Sequence, residues 1–217
     1  VIVVAAGNLL PHRERLQAQA PPGSRFVWLT DGGPYDELRD ADVFVGSFFT
    51  ADMVRAAERL RLIHVAGAGT DRIDFAALPP DVQVCNTFHH ERSIAEYVAG
   101  AAVMLRRGFL AHDRALRDGI WATPVYDRSL PQPPAFGDAR IGFVGFGHIG
   151  LCSWKLLRAF GCTGVAVTGS GRVAEQAGLD WVADTSRLDQ LLDECDVAVI
   201  SAPLNEHTTG MIGEAQL

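Results

Sequence analysis

Three glycines, Gly145, Gly147 and Gly150, have the spacing G-x-G-x-x-G and lie between an apolar run and a helical pattern. Between a strand and a helix, this spacing is typical of a loop that binds the pyrophosphate of a dinucleotide. The first glycine forms the tight turn, the second lets the backbone approach the phosphates, and the third lets the helix pack against the strand. The N-terminus of that helix offers free N–H groups to the same phosphates. We therefore predict a dinucleotide site here; the alternative is a glycine turn that only packs the helix.

The residues after the next predicted strand are expected to bind the ribose of that dinucleotide. A site that prefers NAD usually has Asp or Glu about 20 residues further on, bonded to the ribose hydroxyls. This sequence has Thr168-Gly169-Ser170-Gly171-Arg172 instead. Without a carboxylate a 2′-phosphate is not repelled, Thr168 and Ser170 can donate hydrogen bonds to it, and Arg172 can neutralise it. The run therefore favours NADP over NAD as the cofactor; the alternative is that Arg172 points into solvent.

A third candidate segment follows the apolar run at 197–201. A loop at the carboxyl end of a parallel strand is where a ligand is expected, and Pro203 would hold that loop rigid beside the nicotinamide. His207 lies in the same loop and is a candidate base. Its Asn-Glu-His-Thr surroundings favour the alternative, a side chain exposed to solvent.

A run of small residues forms a fourth candidate site, Ala66-Gly67-Ala68-Gly69-Thr70-Asp71, again after an apolar run. Such a run exposes successive backbone N–H groups in a concavity suited to a carboxylate. The alternative is a plain strand-to-helix turn capped by Asp71. His89 and His90 are not predicted to bind a metal, because adjacent histidines diverge on most backbones and no third ligand is evident.

Composition narrows the classes of function. The chain has 217 residues and a formal net charge of −7, which argues against a dedicated nucleic-acid binder. No apolar run approaches the roughly 18 residues of a membrane span, so no membrane partner is expected. The four cysteines are far apart, which argues against zinc sites and redox pairs and favours a reducing, cytoplasmic compartment. Because the chain lacks an initiator Met and stops where a helix begins, we expect it to be part of something longer.

Short apolar runs alternate with helical patterns along most of the chain, which predicts an α/β protein with parallel sheets covered by helices on both faces. The predicted strands are 1–5, 25–29, 43–45, 62–65, 82–85, 141–144, 165–168, 182 and 197–201. The predicted helices are 50–61, 93–110, 150–160, 172–177 and 188–193. Prolines in 119–138 forbid a long helix there, so this stretch is predicted to cross between domains.

Together these segments resemble the D-isomer-specific 2-hydroxyacid dehydrogenase family over nearly the whole chain. The matching stretches are 66–74, Asn86 to Tyr97 with Ser93-Ile94-Ala95-Glu96, the approach to Trp121, 142–150, and Ala202-Pro203-Leu204 followed by Thr208. Their order and spacing are more specific than any single motif. The Thr168-Gly169 pair is similar to the glyoxylate/hydroxypyruvate reductase branch, which uses NADPH. In that branch the arginine follows within a residue or two, whereas here it is Arg172.

The resemblance implies two doubly wound, Rossmann-like domains with the active site in the cleft between them. The first, at 1–98, would be a flavodoxin-like substrate-binding domain, and the second, at 99–217, an incomplete NAD(P)-binding domain. The backbone of Ala68 and Gly69 would bind the substrate carboxylate. With the motif-based predictions, the expected cofactor-binding residues are Ile94, Gly145, Phe146, Gly147, His148, Ile149, Gly150, Thr168, Ser170, Arg172, Ala202, Pro203 and Thr208.

The family reduces a 2-oxo acid by hydride transfer, with a histidine as proton donor, a carboxylate that tunes it, and an arginine that binds the substrate. We expect all three beyond Leu217, so no catalytic residue is predicted within the chain. The resemblance also implies a homodimer formed through the cofactor domain. The predicted function is an NAD(P)-dependent, D-specific oxidoreductase of a small 2-oxo or 2-hydroxy acid, such as glyoxylate or hydroxypyruvate. The alternatives are a non-catalytic dinucleotide-sensing protein on the same fold and a dehydrogenase of formate or phosphite.

Overall fold

The computed structural model describes residues 1–30, 32–174 and 177–217, which form two compact units, Val1–Phe88 and His89–Leu217. The strands of the first unit are β1 (Ile2–Ala5), β2 (Arg25–Trp28), β3 (Val43–Gly46), β4 (Leu62–Val65) and β5 (Gln83–Cys85), and its α-helices are α1 (Arg13–Gln19) and α2 (Ala51–Ala56). The five strands are all parallel, in the order β2-β1-β3-β4-β5. This is the strand order of flavodoxin-like folds, as predicted.

The core of the first unit forms where α2 packs on the sheet. Phe44, Phe49, Met53 and Ile63 are fully buried there. The Thr50 hydroxyl accepts a hydrogen bond from the Met53 N–H, which caps the helix at the point where its apolar side chain enters the core.

Two predictions for the first unit are wrong. The helix predicted over 50–61 ends at Ala56, because the chain beyond it bonds to neighbouring loops: the Glu58 N–H donates to the Arg39 carbonyl and the Arg61 N–H to the Asp42 carbonyl. The alternative reading of 66–71 as a strand-to-helix turn capped by Asp71 is also wrong, because residues 66–82, all of which are described, contain no helix. That connection is an irregular loop rather than a helix.

The strands of the second unit are β6 (Arg140–Val144), β7 (Thr163–Val167), β8 (Trp181–Ala183) and β9 (Val197–Ile200), and its α-helices are α3 (Glu91–Arg106), α4 (Phe109–Arg117), α5 (His148–Leu157) and α6 (Leu188–Glu194). The four strands are parallel, in the order β8-β7-β6-β9. This is the Rossmann arrangement predicted from the sequence. The predicted domain boundary between residues 98 and 99 falls inside α3, which lies in the second unit as a whole.

The single helix predicted over 93–110 is two helices, α3 and α4. Gly108 lies between them in the left-handed region, with φ of +63°. Its N–H donates to the carbonyl of Leu105, which ends the first helix before the second begins. The prediction failed because glycine at this conformation breaks a helix without interrupting the apolar pattern.

Two further predictions concern segments of the second unit. Residues 119–135 contain neither helix nor strand, in agreement with their prolines. The prediction that 119–138 crosses between domains is wrong, because the whole stretch lies within the second unit. The helix predicted over 172–177 includes 175 and 176, which lie outside the described residues, and Arg172 to Ala174 have no regular structure. Among the helices that the structure describes, none combines the length and apolarity needed to cross a membrane.

Asp196 joins the amino ends of two strands to α3, and we predict that it stabilises the second unit through its charge. One carboxylate oxygen accepts the Arg140 N–H at 2.8 Å and the other pairs with Arg106 at 2.8 Å. The hydrogen bond from the Arg140 backbone and the nearby Arg106 lower the pKa of Asp196 below its usual value of 3.8. Asp196→Asn should cost about 1 kcal/mol of unfolding free energy at pH 7, since the side chain is 39% exposed.

The sign of the pH dependence follows from the lowered pKa of Asp196. The unfolded state binds the proton more readily, so the stabilisation is present above about pH 4 and is lost as the pH falls further. Urea unfolding of Asp196→Asn and wild type at several pH values should show two curves that converge on acidification. Asp193→Asn, an exposed change on α6, should match wild type throughout. A constant gap between the Asp196→Asn and wild-type curves down to pH 3 would contradict a charge-based role.

Candidate functional site

The first glycine of the motif stands where three strands of the second sheet end. Gly145 has φ of +85°, and a Cβ there would lie 2.6 Å from the backbone nitrogen of Ala202. Its N–H donates to the Val167 carbonyl at 2.8 Å, and its carbonyl accepts the Ser201 hydroxyl at 3.0 Å. Only glycine fits this turn, which joins the carboxyl ends of β6, β7 and β9.

The other two glycines differ in their surroundings. A Cβ on Gly150 would lie 3.1 Å from the Gly145 carbonyl oxygen, so this glycine lets α5 pack closely on the turn. A Cβ on Gly147 would meet no atom within 4 Å, so space remains open at the start of α5. The first turn of this helix has no acidic residue and no side-chain cap at Gly147. The N-terminus of α5 can therefore accept a pyrophosphate, as the motif predicts.

The residues between these glycines divide into anchoring and exposed ones. Phe146 packs edge-to-face against Phe143, with ring centroids 5.1 Å apart, and Phe143 in turn packs edge-to-face against Trp154 of α5. Ile149 is half-buried and His148 is exposed. The aromatic contacts fix the turn on the core, while His148 and the backbone of this stretch stay on the open side.

A cavity of about 380 Å³ lies at the carboxyl ends of these strands. Five predicted cofactor-binding residues line it: Gly145, Thr168, Ala202, Pro203 and Thr208. Residues outside the predicted cofactor-binding set also line it: Val144, Val167, Gly169, Thr185, Asn205, His207 and Met211. The second unit thus brings three separate candidate segments to one cavity, and its mixture of apolar and polar lining residues fits the nucleoside part of a dinucleotide.

The loop after β7 is held closed by Thr168. Its hydroxyl accepts the Arg172 N–H at 3.1 Å and lies 3.3 Å from the Arg172 carbonyl oxygen. Gly171, with φ of +65°, completes the turn. The Thr168 hydroxyl was predicted to donate to a 2′-phosphate, whereas it bonds within the loop. Ser170 and Arg172 are exposed.

A carboxylate that the sequence did not point to stands beside this loop. A Cβ on Gly171 would lie 3.5 Å from Cβ of Asp184, which follows β8. The Asp184 carboxylate accepts the N–H and the hydroxyl of Ser186, and these two hydrogen bonds lower its pKa. The acid therefore stays ionised near neutral pH and is held toward Ser186. This places one negative charge close to the loop after β7.

The loop after β9 is a hydrogen-bonded turn built by two polar side chains. The Thr208 hydroxyl donates to the Pro203 carbonyl at 2.6 Å and accepts the Asn205 N–H at 2.9 Å. The Asn205 side chain accepts the His207 N–H at 2.9 Å. An Asn two residues before the histidine is a turn signal that the sequence carried. His207 lines the cavity but is exposed, 3.7 Å from Glu206, in agreement with the solvent-facing alternative.

In the first unit, the loop after β4 leaves backbone N–H groups free. The Ala66 N–H donates to the Gly46 carbonyl, while the carbonyls of Gly67 and Ala68 accept from the Thr87 N–H at 3.1 Å and the Asn86 side chain at 2.8 Å. The N–H groups of Ala68 and Gly69 donate to no acceptor in the part of the chain that the structure describes. This is the geometry of an anion-binding concavity.

The remaining predictions concern Ile94 and metals. Ile94 is half-buried on α3, and its contact with the nicotinamide stays a prediction. No group of three or more metal-ligating side chains occurs among the described residues, and all four cysteines are free. Burial raises the pKa of Cys162 and of Cys195, so both thiols stay protonated at neutral pH.

The second unit has the features that define a dinucleotide-binding Rossmann domain: a parallel sheet, a glycine turn against a helix N-terminus, and a cavity at the carboxyl edge. Comparison with known proteins identifies the family to which this domain belongs. The sequence profile described as "D-isomer specific 2-hydroxyacid dehydrogenase, NAD binding domain" matches residues 99–217. The chain therefore belongs to the D-isomer specific 2-hydroxyacid dehydrogenase family.

Among curated relatives, a formate dehydrogenase of Arabidopsis thaliana is 30% identical over 95% of this chain and 56% of its own length. A glyoxylate reductase of Korarchaeum cryptofilum is 26% identical over 92% of this chain and 58% of its own. The chain spans about half the length of the curated relatives it matches.

Solved structures agree on the fold. An NADPH-dependent glyoxylate/hydroxypyruvate reductase of Sinorhizobium meliloti, solved with NADP and sulfate, superposes with a TM-score of 0.77 at 25% identity, covering 99% of this chain and 66% of that one. An NAD-dependent formate dehydrogenase of Staphylococcus aureus, solved with NAD, gives a TM-score of 0.75 at 22% identity, covering 100% and 69%.

The contrast between two glycines predicts separate effects on cofactor binding and on stability. Gly147→Ala should weaken NADPH and NADH alike by about tenfold or more, because its Cβ occupies the approach to the pyrophosphate, while the fold tolerates it. Gly145→Ala should lower the unfolding free energy by about 1–3 kcal/mol, through backbone strain and the clash with Ala202. Fluorescence titration and thermal unfolding measure the two effects. Wild-type cofactor affinity in Gly147→Ala would exclude this turn as the pyrophosphate site.

Proposed function

We propose that this chain forms the cofactor-binding and carboxylate-binding parts of an NAD(P)-dependent oxidoreductase that acts on a small 2-oxo or 2-hydroxy acid. The observation that carries the proposal is the cavity at the carboxyl edge of β6, β7 and β9, which Gly145, Thr168 and Pro203 line together. The open space at Gly147 gives a pyrophosphate access to the N-terminus of α5.

The bound nicotinamide would supply or accept a hydride at C4, which passes to or from C2 of the acid. The residues of this chain would bind and orient. The glycine turn and α5 hold the pyrophosphate, and the loops after β7 and β9 hold the nucleoside. The N–H groups of Ala68 and Gly69 hold the substrate carboxylate. Ile94 would pack against the nicotinamide. We assign the proton-transfer step to no residue of this chain.

We further propose that NADP is the preferred cofactor. Ser170 and Arg172 are exposed at the end of β7, where a 2′-phosphate would lie, and the loop that Thr168 closes contains no carboxylate. A guanidinium there offers a charged hydrogen bond that NAD cannot accept. Asp184, beside Gly171, opposes this preference by repulsion, so the ratio of affinities reports the balance between one cation and one anion.

Formate is the second candidate substrate, favoured by the curated formate dehydrogenases of 28% and 30% identity. Competition separates the two candidates, because a site for 2-oxo acids should bind oxalate or oxamate and a formate site should ignore them. Detectable turnover of 2-oxo acids by the protein would discard the remaining alternative, a dinucleotide sensor without catalysis.

A homodimer through the second unit is also proposed. Large apolar side chains are exposed on and after α4: Phe109, Leu110, Leu116, Ile120, Trp121, Val125 and Tyr126. This many exposed apolar side chains in one short stretch of sequence favour an interaction surface, and the dimer implied by the family resemblance gives that surface an occupant, a second copy of the chain. The cytoplasmic compartment stays a prediction.

The first prediction from this proposal concerns cofactor preference. Fluorescence titration should give a lower Kd for NADPH than for NADH, because Arg172 can pair with the 2′-phosphate. Equal dissociation constants, or tighter binding of NADH, would show that Asp184 or the loop backbone outweighs Arg172.

The second prediction concerns Arg172 alone. Arg172→Ala should weaken NADPH binding by about 1–3 kcal/mol, the scale of a hydrogen bond to a charged group, and leave NADH nearly unchanged. Arg15→Ala, an exposed change in the first unit, is the matched control for loss of one positive charge and should alter neither affinity. An equal loss for both cofactors in Arg172→Ala would indicate that Arg172 supports the loop rather than the phosphate.

A further inference from the structure

The carbonyl groups of the loop after β4 are fixed from one side by a single short segment. Residues 86 and 87 follow the end of β5, and β5 pairs in parallel with β4, so the segment runs beside the loop. From it, the Thr87 backbone N–H donates to the Gly67 carbonyl and the Asn86 side-chain amide donates to the Ala68 carbonyl.

These two hydrogen bonds determine where the next N–H groups point. In a planar trans peptide the carbonyl of one residue and the N–H of the next point in opposite directions. The Gly67 carbonyl points toward the 86–87 segment, so the N–H of Ala68, in the same peptide, points away from that segment. The Ala68 carbonyl also points toward the segment, so the N–H of Gly69 points away from it as well. Both N–H groups therefore face the side opposite the segment, where an anion can accept from both.

Only one of the two hydrogen bonds depends on a side chain. The Thr87 contact is made by the backbone and survives almost any substitution, whereas the Asn86 contact requires an amide donor of the correct length. The two residues are adjacent and both half-buried. Asn86 is also 18 positions from the carbonyl that it holds.

We propose that Asn86 is a positioning residue for the carboxylate site, which aims the Gly69 N–H at the substrate by holding the Ala68 carbonyl. The inference rests on the proposed function of Ala68 and Gly69. Asn86 itself need not touch the substrate. Without its amide, the peptide between Ala68 and Gly69 is free to rotate, and the Gly69 N–H is no longer held beside that of Ala68.

The experiment is an NMR titration of the ¹⁵N-labelled chain of 217 residues with oxalate, followed at the backbone amides of Ala68 and Gly69. In wild type, the backbone amide signals of both residues should shift on addition of oxalate and reach saturation.

Asn86→Leu keeps the branched shape and neutrality of the side chain but loses the amide donor. It should bind oxalate about threefold to tenfold more weakly, the scale of one hydrogen bond. The Gly69 amide should also shift before any oxalate is added. Thr87→Ala keeps its backbone N–H and should bind as wild type does.

The outcomes separate the two proposals. If the wild-type amides of Ala68 and Gly69 respond neither to oxalate nor, in a parallel titration, to formate, the carboxylate site is absent, and both the proposed function of this loop and the role of Asn86 are overturned. If wild type responds and Asn86→Leu binds oxalate equally well, only the role of Asn86 is overturned.

A measurement on wild type alone covers the case in which Asn86→Leu does not fold. The side-chain amide protons of Asn86 should exchange with solvent more slowly than those of Asn8, because one of them is donated to the Ala68 carbonyl. Exchange of Asn86 at the rate of a freely exposed side-chain amide would overturn the proposal.

Discussion

Parallel strands end on the same edge of a sheet, and this constraint places every candidate site of the chain. All the strand pairs described in both units are parallel. Each strand must therefore be followed by a connection that starts from that edge, so loops distant in sequence begin side by side. In the second unit this brings Gly145, Thr168 and Ala202 to one cavity. In the first unit it brings Gly67 and Ala68 beside Asn86 and Thr87.

At that edge the chain leaves the sheet, and the groups that we propose to bind anions are main-chain N–H groups no longer used by a strand. In the second unit, the Gly145 N–H is still hydrogen-bonded to the Val167 carbonyl, whereas the space beside Gly147 leaves the N-terminus of α5 accessible. In the loop after β4, hydrogen bonds from the 86–87 segment hold the carbonyls of Gly67 and Ala68, and the N–H groups of Ala68 and Gly69 donate to no described acceptor. Neither arrangement needs a charged side chain to meet the first negative charge of its ligand.

The sequence predicted these sites to the extent that their signals are local. The glycine spacing, the strand before it and the helix after it all lie within residues 140–157, so that the turn at Gly145 was recognisable. The break at Gly108 was not, since an apolar pattern carries no information on the sign of φ. The contact of Asn86 with the Ala68 carbonyl and the position of Asp184 beside Gly171 were not predicted, for a different reason. Each residue lies next to the loop of a neighbouring strand, and periodicity does not report contacts across a sheet. The Thr168 hydroxyl was assigned to the ligand because its bond to Arg172 is visible only in the folded loop.

Because the proposed carboxylate site is formed by main-chain N–H groups, it affects which substitutions the chain can tolerate during evolution. Every amino acid except proline supplies the same N–H, so Ala68 can be replaced by most residues without removing the hydrogen bond that we propose it donates to an anion. Neighbouring side chains can then vary without loss of that donor. Gly145 has no such freedom, because a Cβ there meets the backbone at Ala202. Under mutational drift, the proposed carboxylate site would therefore tolerate substitution at Ala68, whereas the glycine turn at Gly145 would not.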